Sequence, residues 1–345
     1  MCMPAYQKSP VVRWGILGVA RIATAKVIPA MQRALHCEVV AIASRDAARA
    51  EASAAALGIP RGHGSYEALL ADSGVDAVYI PLPNHLHVPW TTRAAEAGKH
   101  VLCEKPIALN AGEARTLLEV RDRTGMRIQE AFMIRRHPQW LRARTLVDGG
   151  GLGDLRAMSG FFSYYNDEAS NVRNVAAFGG GALLDIGCYL VNTARFIFDA
   201  EPSRVTGVSD IDPRFGVDRL TSMILDFDGR HAIGTCGTQL QYYQRIQIVG
   251  TKGRLELEIP FNAPADRPGR MTFDRTGDVH GSGIETIMFD TCDQYTLQAE
   301  EFSRALLDCS PQSAPLEDAV ANMECIDALA RSFQTGRWEP VKPAR

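Results

Sequence analysis

The sequence predicts an α/β protein in two parts: an N-terminal Rossmann dinucleotide-binding domain and a C-terminal α+β domain with a large, mostly antiparallel open sheet. Three observations predict it. The 345-residue chain is longer than one hydrophobic core usually serves. Its first third alternates short β-type runs with helical ones, the signature of a parallel sheet with right-handed crossovers. Beyond Gly149, Gly150, Gly151 and Gly153, strands predominate and succeed each other with short turns. The expected boundary separates residues 1–131 from residues 132–345.

In the first part, Val11–Leu17 is an apolar strand bounded by Gly18, and Arg21–Leu35 follows with helical spacing. Glu38–Ala43 is a second strand, and alanine-rich Ala47–Leu57 a helix closed by Gly58 and Pro60. Ser65 can cap a short helix reaching Asp72. Val75–Ile80 ends at Pro81 and Pro83; the helix Val88–Ala97 ends at Gly98. The strand His100–Cys103, the helix Ala111–Thr124 and the strand Arg127–Ala131 complete this half. The second half reads as strands at Leu155–Tyr165, Arg204–Ile211, Thr221–Phe227, His231–Leu240, Gln244–Val249 and Arg254–Ile259. Asp228–Gly229 marks a hairpin. Helices are expected at about Ala182–Phe198, Gln294–Leu307 and Leu316–Gln334; Phe261–Gly283 has no period and reads as loop.

Composition narrows the function. With 46% hydrophobic and 22% charged residues, disordered, collagenous and disulfide-scaffold classes do not fit. A net charge of −3 offers no basic footprint for nucleic acid, and no run of apolar residues is long enough to expect a membrane span. The polar stretch Met1–Pro10 lacks the apolar core of a signal peptide, so a cytoplasmic protein is expected. Eight dispersed cysteines form no C-x-x-C pair, and His85 and His87 lack the company of a zinc site; reduced thiols and no metal are the expectation.

The chemistry is expected where strands of the first half end. Gly18-x-Ala20-x-x-Ala23 follows the first strand in the register of a G-x-G-x-x-G turn. Gly18 gives the tight turn, Ala20 lets a diphosphate approach, and the N–H groups of Arg21 and Ile22 open the helix toward its charge. A plain strand-to-helix turn reads the same way. After the second strand, Ser44 and Arg45 offer a hydroxyl and a paired donor to a ribose 2′-phosphate, which favours NADP. Asp46 keeps an acid nearby, so NAD stays open, and Ser44 could simply cap the next helix. Pro81, Asn84 and His87 follow the third strand, and Glu104-Lys105-Pro106 the fourth. Pro106 holds Lys105 extended, where an ammonium could bond a substrate oxygen. An exposed, salt-bridged lysine is the plain alternative. Gly179-Gly-Gly181 opens into a helix carrying Asp185 and Tyr189, which are four apart and so share a face.

Taken in order, Gly18-Val-Ala20, Pro83-Asn84-His85-Leu-His87, Glu104-Lys105-Pro106 and Gly179-Gly-Gly-Ala-Leu-Leu-Asp185-Ile-Gly-Cys-Tyr189 resemble the glucose–fructose oxidoreductase/inositol dehydrogenase/MocA family from about Val11 to Pro340. The resemblance implies an active site between the domains and oxidation or reduction of hydroxyls on sugars and related rings with NAD(P). Tyr189, where many relatives have histidine, and the run Asn171-Val-Arg173-Asn174 are similar to the subgroup of glucose–fructose oxidoreductase, NADP-dependent D-xylose dehydrogenase and dimeric dihydrodiol dehydrogenase. Ala20 departs from the glycine common there.

The expected reaction is hydride transfer between a carbinol carbon and nicotinamide. Tyr189 would act as acid/base, with Lys105 lowering its pKa and bonding the substrate, and Asp185 orienting Tyr189 or a substrate hydroxyl. Lys105 as the proton acceptor is equally open. Arg173, Asp185 and Tyr189 would touch a sugar such as D-xylose or D-glucose; a dihydrodiol or ketosugar is the alternative. A non-catalytic regulator would be expected to lack Lys105, Asp185 or Tyr189. A homodimer or higher homo-oligomer is expected to cover the open sheet face.

Overall fold

A computed structural model describes residues 10–311 and 314–343. The Met1–Ser9 part of the polar N-terminal stretch, Cys2 included, lies outside them. The first half runs β1 (Val12–Leu17), α1 (Ile28–Arg33), β2 (Cys37–Ala43), α2 (Ala47–Leu57), β3 (Arg61–His63), α3 (Tyr66–Leu70), β4 (Ala77–Ile80), α4 (His87–Glu96), β5 (His100–Cys103), α5 (Ala111–Thr124) and β6 (Ile128–Glu130). Six strands form one parallel sheet in the order β3-β2-β1-β4-β5-β6. The order reverses between β1 and β4, so the carboxyl ends of those strands open a crevice, the usual ligand position in such sheets.

The second half contains α6 (Pro138–Asp148), β7 (Leu155–Tyr165), α7 (Cys188–Phe198), β8 (Arg204–Ile211), β9 (Asp218–Asp226), β10 (His231–Gly237), β11 (Gln239–Gly250), β12 (Arg254–Leu257), β13 (Gly269–Asp274), β14 (Glu285–Phe289), α8 (Gln294–Leu307), α9 (Leu316–Thr335) and β15 (Glu339–Pro340). Its nine strands are ordered β14-β13-β12-β11-β7-β10-β9-β8-β15, antiparallel except for the β7–β10 pair. Asp228 and Gly229 both take positive φ, 56° and 88°, as a two-residue hairpin between right-twisted strands requires. The apolar segment Ala176–Phe198 is a core segment: 89% of its most apolar window is buried.

Five expectations change. The Phe261–Gly283 loop contains β13, and His231–Leu240 splits at Gly237 into β10 and the start of β11. The helix over Arg21–Leu35 opens with a π turn at Ala23–Val27, where the Ile28 N–H donates to Ala23 O. Pro29 has no N–H for the ordinary bond, so the turn ahead of it widens. A second π turn, Leu183–Gly187, precedes α7. Finally, α8 packs on the first sheet rather than the second: the Trp14 indole N–H donates to Ser303 Oγ at 3.0 Å, and Trp14 lies 5.3 Å from Phe302.

Candidate active site

Lys105 leaves the end of β5 and crosses to the second half. Its Nζ donates to the Asp185 carbonyl at 2.6 Å and to Asp185 Oδ1 at 3.3 Å. Both side chains are nearly buried, 12% and 11% exposed. Asp185 Oδ2 accepts from the Tyr164 hydroxyl at 2.5 Å and from Arg173 Nε at 3.0 Å. Burial alone would favour a neutral Asp185, but Arg173, Lys105 and Tyr164 outweigh it and hold the carboxyl well below its ordinary value. Burial likewise opposes the Lys105 charge, and Asp185 more than restores it, so the amine titrates above its ordinary value.

Tyr189 is placed differently from expectation. Asp185 and Tyr189 both lie against Lys105 Nζ, but the Tyr189 hydroxyl does not meet the Asp185 carboxylate. The Tyr189 hydroxyl donates to Met133 Sδ at 3.5 Å, while its ring packs among Phe132, Phe162 and Phe261. Lys105 Nζ sits over the ring face, 5.1 Å from its centroid. Burial pushes the Tyr189 phenol well up, reinforced by Tyr295 and Glu104. The net direction is opposite to the lowering expected from Lys105.

The three glycines pass close to protein rather than open space. A Cβ on Gly180 would meet the Arg173 carbonyl, one on Gly181 the Asp218 carboxylate, and one on Gly179 a methyl of Leu109. Asn84 Nδ2 donates to the Gly179 carbonyl at 2.8 Å, and His85 stacks on Phe178 at 4.5 Å. Asn84 therefore joins the halves. His87 is 1% exposed, with Nδ1 and Nε2 each 2.7 Å from a backbone carbonyl, of Pro106 and Leu82. Both ring nitrogens lie against buried backbone carbonyls, one of them as the donor of a neutral imidazole, so His87 presents neither to the cleft in this structure. Glu104 accepts from the Tyr79 hydroxyl at 2.6 Å and from the Lys105 N–H at 3.3 Å, and its own N–H donates to Ile80 O at 3.1 Å; Pro81, which follows Ile80, is buried.

At the β1 end, Gly18 has φ 114° and its N–H donates to Ala43 O. Ala20, Arg21 and Ile22 begin the helix, whose first N–H groups have no acceptor within it. Ser44 Oγ accepts from the Asp46 N–H at 3.2 Å. Asp46 caps α2, its Oδ1 accepting from Arg49 N at 3.2 Å. Arg45 is exposed, and Arg49 reaches back to the Val19 carbonyl at 3.1 Å. The charges of Arg45 and Arg49 oppose the rise that burial imposes on the Tyr66 phenol. Tyr164 and Arg49 were missed from sequence: one sits in an ordinary alternating strand, the other on an alanine-rich helix, and neither carries a motif.

A parallel nucleotide-type sheet with a small-residue turn, joined to a second sheet by a lysine–carboxylate pair, defines a dinucleotide-dependent oxidoreductase. The comparisons make the class specific. Residues 12–132 match the model described as oxidoreductase family, NAD-binding Rossmann fold, and residues 140–256 the GFO/IDH/MocA C-terminal domain. The chain belongs to the GFO/IDH/MocA family of oxidoreductases. It is 50% identical to an uncharacterized oxidoreductase of Rhizobium meliloti, over 96% of this chain and 99% of that one. It is 40% identical to a D-xylose 1-dehydrogenase (NADP(+)) of Haloferax volcanii, over 94% and 98%. A 3-ketoreductase from Actinomadura kijaniata, solved with NADP and TDP-benzene, superposes with a TM-score of 0.86 at 31% identity, over 93% and 98% of the chains.

Proposed function

We propose that the chain is an NADP-dependent dehydrogenase that oxidises an aldose, such as D-xylose or D-glucose, by hydride transfer between a sugar hydroxyl carbon and nicotinamide. Residues 1–131 would bind the dinucleotide and residues 132–345 the sugar. The observation that carries the cofactor choice is Asp46. An NAD enzyme uses an acid near this point on the ribose 2′-OH. Here the acid is spent on capping α2, leaving Ser44, Arg45 and Arg49 to face a 2′-phosphate. Gly18, Ala20, Arg21 and Ile22 suit the diphosphate, with Pro81 and Glu104 flanking the nicotinamide end. The Haloferax volcanii relative, an NADP(+) D-xylose dehydrogenase, supports both substrate and cofactor.

Bound NADP supplies the hydride chemistry. The chain manages one proton. Of the two carriers left open by the sequence, Lys105 is the better supported. It is a cation held by Asp185, whereas the Tyr189 hydroxyl is turned onto a sulfur. The Lys105 ammonium would bond the substrate oxygen, donating its proton in carbonyl reduction and, once neutral, accepting one in alcohol oxidation. Asp185 fixes the amine; Arg173 and Tyr164 fix Asp185 and border the sugar. Tyr189 forms the apolar wall under Lys105. Self-association through the open sheet face, where Val208, Ile224, Ile233 and Tyr243 are exposed around a groove of about 690 Å³, completes the reading. Only monomer in gel filtration would remove that part.

The test is a screen of aldopentoses, aldohexoses, ketosugars and an aromatic dihydrodiol with NADP+ and NAD+, read at the reduced-nicotinamide absorbance. Turnover of an aldose with NADP+ is expected. Turnover confined to the dihydrodiol or a ketosugar overturns the substrate assignment.

A further inference from the structure

The peptide unit joining Pro106 to Ile107 is held at both ends. Its carbonyl oxygen lies 2.7 Å from His87 Nδ1, and its N–H donates to Glu130 Oε1 at 2.7 Å. His87 comes from the first residue of α4 and Glu130 from the last residue of β6, so two elements on either side of β5 grip one peptide. His87 is 1%, Glu130 6% and Ile107 0% exposed. Burial holds the imidazole neutral, so it carries one N–H; in the tautomer that grips the peptide Nδ1 donates to Pro106 O, and Nε2, 2.7 Å from Leu82 O, carries no proton.

Burying an imidazole and a carboxyl is costly, and an apolar pair would pack there without that cost. What distinguishes this peptide is its neighbour. Lys105 lies one residue before it and must reach a carboxylate 80 residues away in the chain. A rotation of the Pro106–Ile107 unit would swing the Lys105 backbone and draw Nζ off Asp185. Burial pushes Glu130 up to about 8 against the pull of the Ile107 N–H, with Asp318, Arg195 and Lys105 the charged groups facing it. Near neutral pH the carboxyl is mainly uncharged, so a carboxamide can replace it.

We propose that His87 and Glu130 form a two-sided clamp on the Pro106–Ile107 peptide that aims Lys105 across the cleft, both acting as positioning residues for proton transfer. This rests on the reading of Lys105 as the proton carrier, but the clamp itself can be read without turnover.

The experiment compares Glu130→Leu, Glu130→Gln and His87→Phe by crystal structure, NADPH-binding fluorescence and sugar-oxidation kinetics. Because misplacing a reacting group by about 1 Å can cost on the order of 100-fold, Glu130→Leu and His87→Phe are expected to lower kcat about 10- to 100-fold. NADPH affinity should stay within about threefold, and Glu130→Gln, whose oxygen still accepts from Ile107, should keep most of the wild-type kcat. In the structures, Nζ should leave Asp185 in Glu130→Leu and His87→Phe and remain there in Glu130→Gln. If wild-type enzyme turns over no sugar, the proposed activity fails while the structural arm still reads the clamp. If Glu130→Leu does not fold, His87→Phe carries the same comparison. Nζ unmoved from Asp185 in any variant that breaks the grip, or kcat unchanged there, overturns the proposal.

Discussion

The two ends of the cleft are built in opposite ways. At the Lys105 end every charged group already has a protein partner: Lys105 and Arg173 on Asp185, Tyr164 on Asp185, Glu104 on Tyr79. At the Gly18 end Arg45 is exposed, Arg49 donates among the described residues to a carbonyl, and Asp46 serves as a helix cap. The difference follows from what each end must do. Proton transfer needs donors fixed before substrate arrives, because reorganising them would add to the barrier. A phosphate brings its own charge, and exposed arginines can close on it at little desolvation cost.

The sharpest way to break this comparison is to remove the fixed cation. Lys105→Met is expected to lower kcat/KM for sugar oxidation on the order of 10² to 10⁴-fold, the usual weight of a general acid or base. NADP+ affinity, measured separately by fluorescence, should hardly change. The pH dependence has a definite sign. Asp185 holds the Lys105 pKa above its ordinary value, so the amine is protonated at neutral pH. Sugar oxidation, which needs the neutral amine, should therefore climb through the alkaline range, and carbonyl reduction should fall over the same range. Lys105→Met should flatten both limbs; limbs that persist in it would assign them to another group.

The loose end predicts a smaller and more selective effect. Charge-assisted hydrogen bonds are worth about 1.5–3 kcal/mol, so Arg45→Ala or Arg49→Ala should each weaken NADP+ about 10- to 100-fold. NAD+ binding, without the 2′-phosphate, should move little, and the ratio of the two dissociation constants is the readout. Equal losses for both dinucleotides would place these arginines away from the ribose phosphate.

How far each end was legible in the sequence follows the same division. The turn at Gly18 and the pair Ser44-Arg45 are local, so a few adjacent residues specify them. The apolar runs that became β1, β2, β4 and β5 were equally plain because a buried parallel strand has no polar face to confuse the period. Where structure depends on distant contacts the signal fades. Arg61–His63 forms an edge strand with no apolar run, and Pro138–Asp148 a helix whose buried face includes Gln139. The π turn at Leu183–Gly187 escapes a 3.6-residue reading. Lys105 and Asp185 were recognised separately by motif, but only folding shows that they meet, and Tyr164 joins them from a strand with no distinguishing residue nearby.

The smallest expected effect separates the two phenols. Tyr164→Phe removes the hydroxyl that donates to Asp185, and loss of one bond to a charged group predicts about a tenfold fall in kcat. Tyr189→Phe removes a hydroxyl whose hydrogen bond goes to a thioether, a weak acceptor, so kcat should fall by less than about threefold, with the alkaline limb in place. The ring that supports Lys105 at 5.1 Å is kept in that variant. Side-by-side pH–rate profiles of the two variants decide the matter. A collapse of turnover in Tyr189→Phe with a shifted limb would make that phenol the proton carrier. Its hydroxyl would then have to leave Met133 when ligands bind, and the rigid end of the cleft would be less rigid than its bonds indicate.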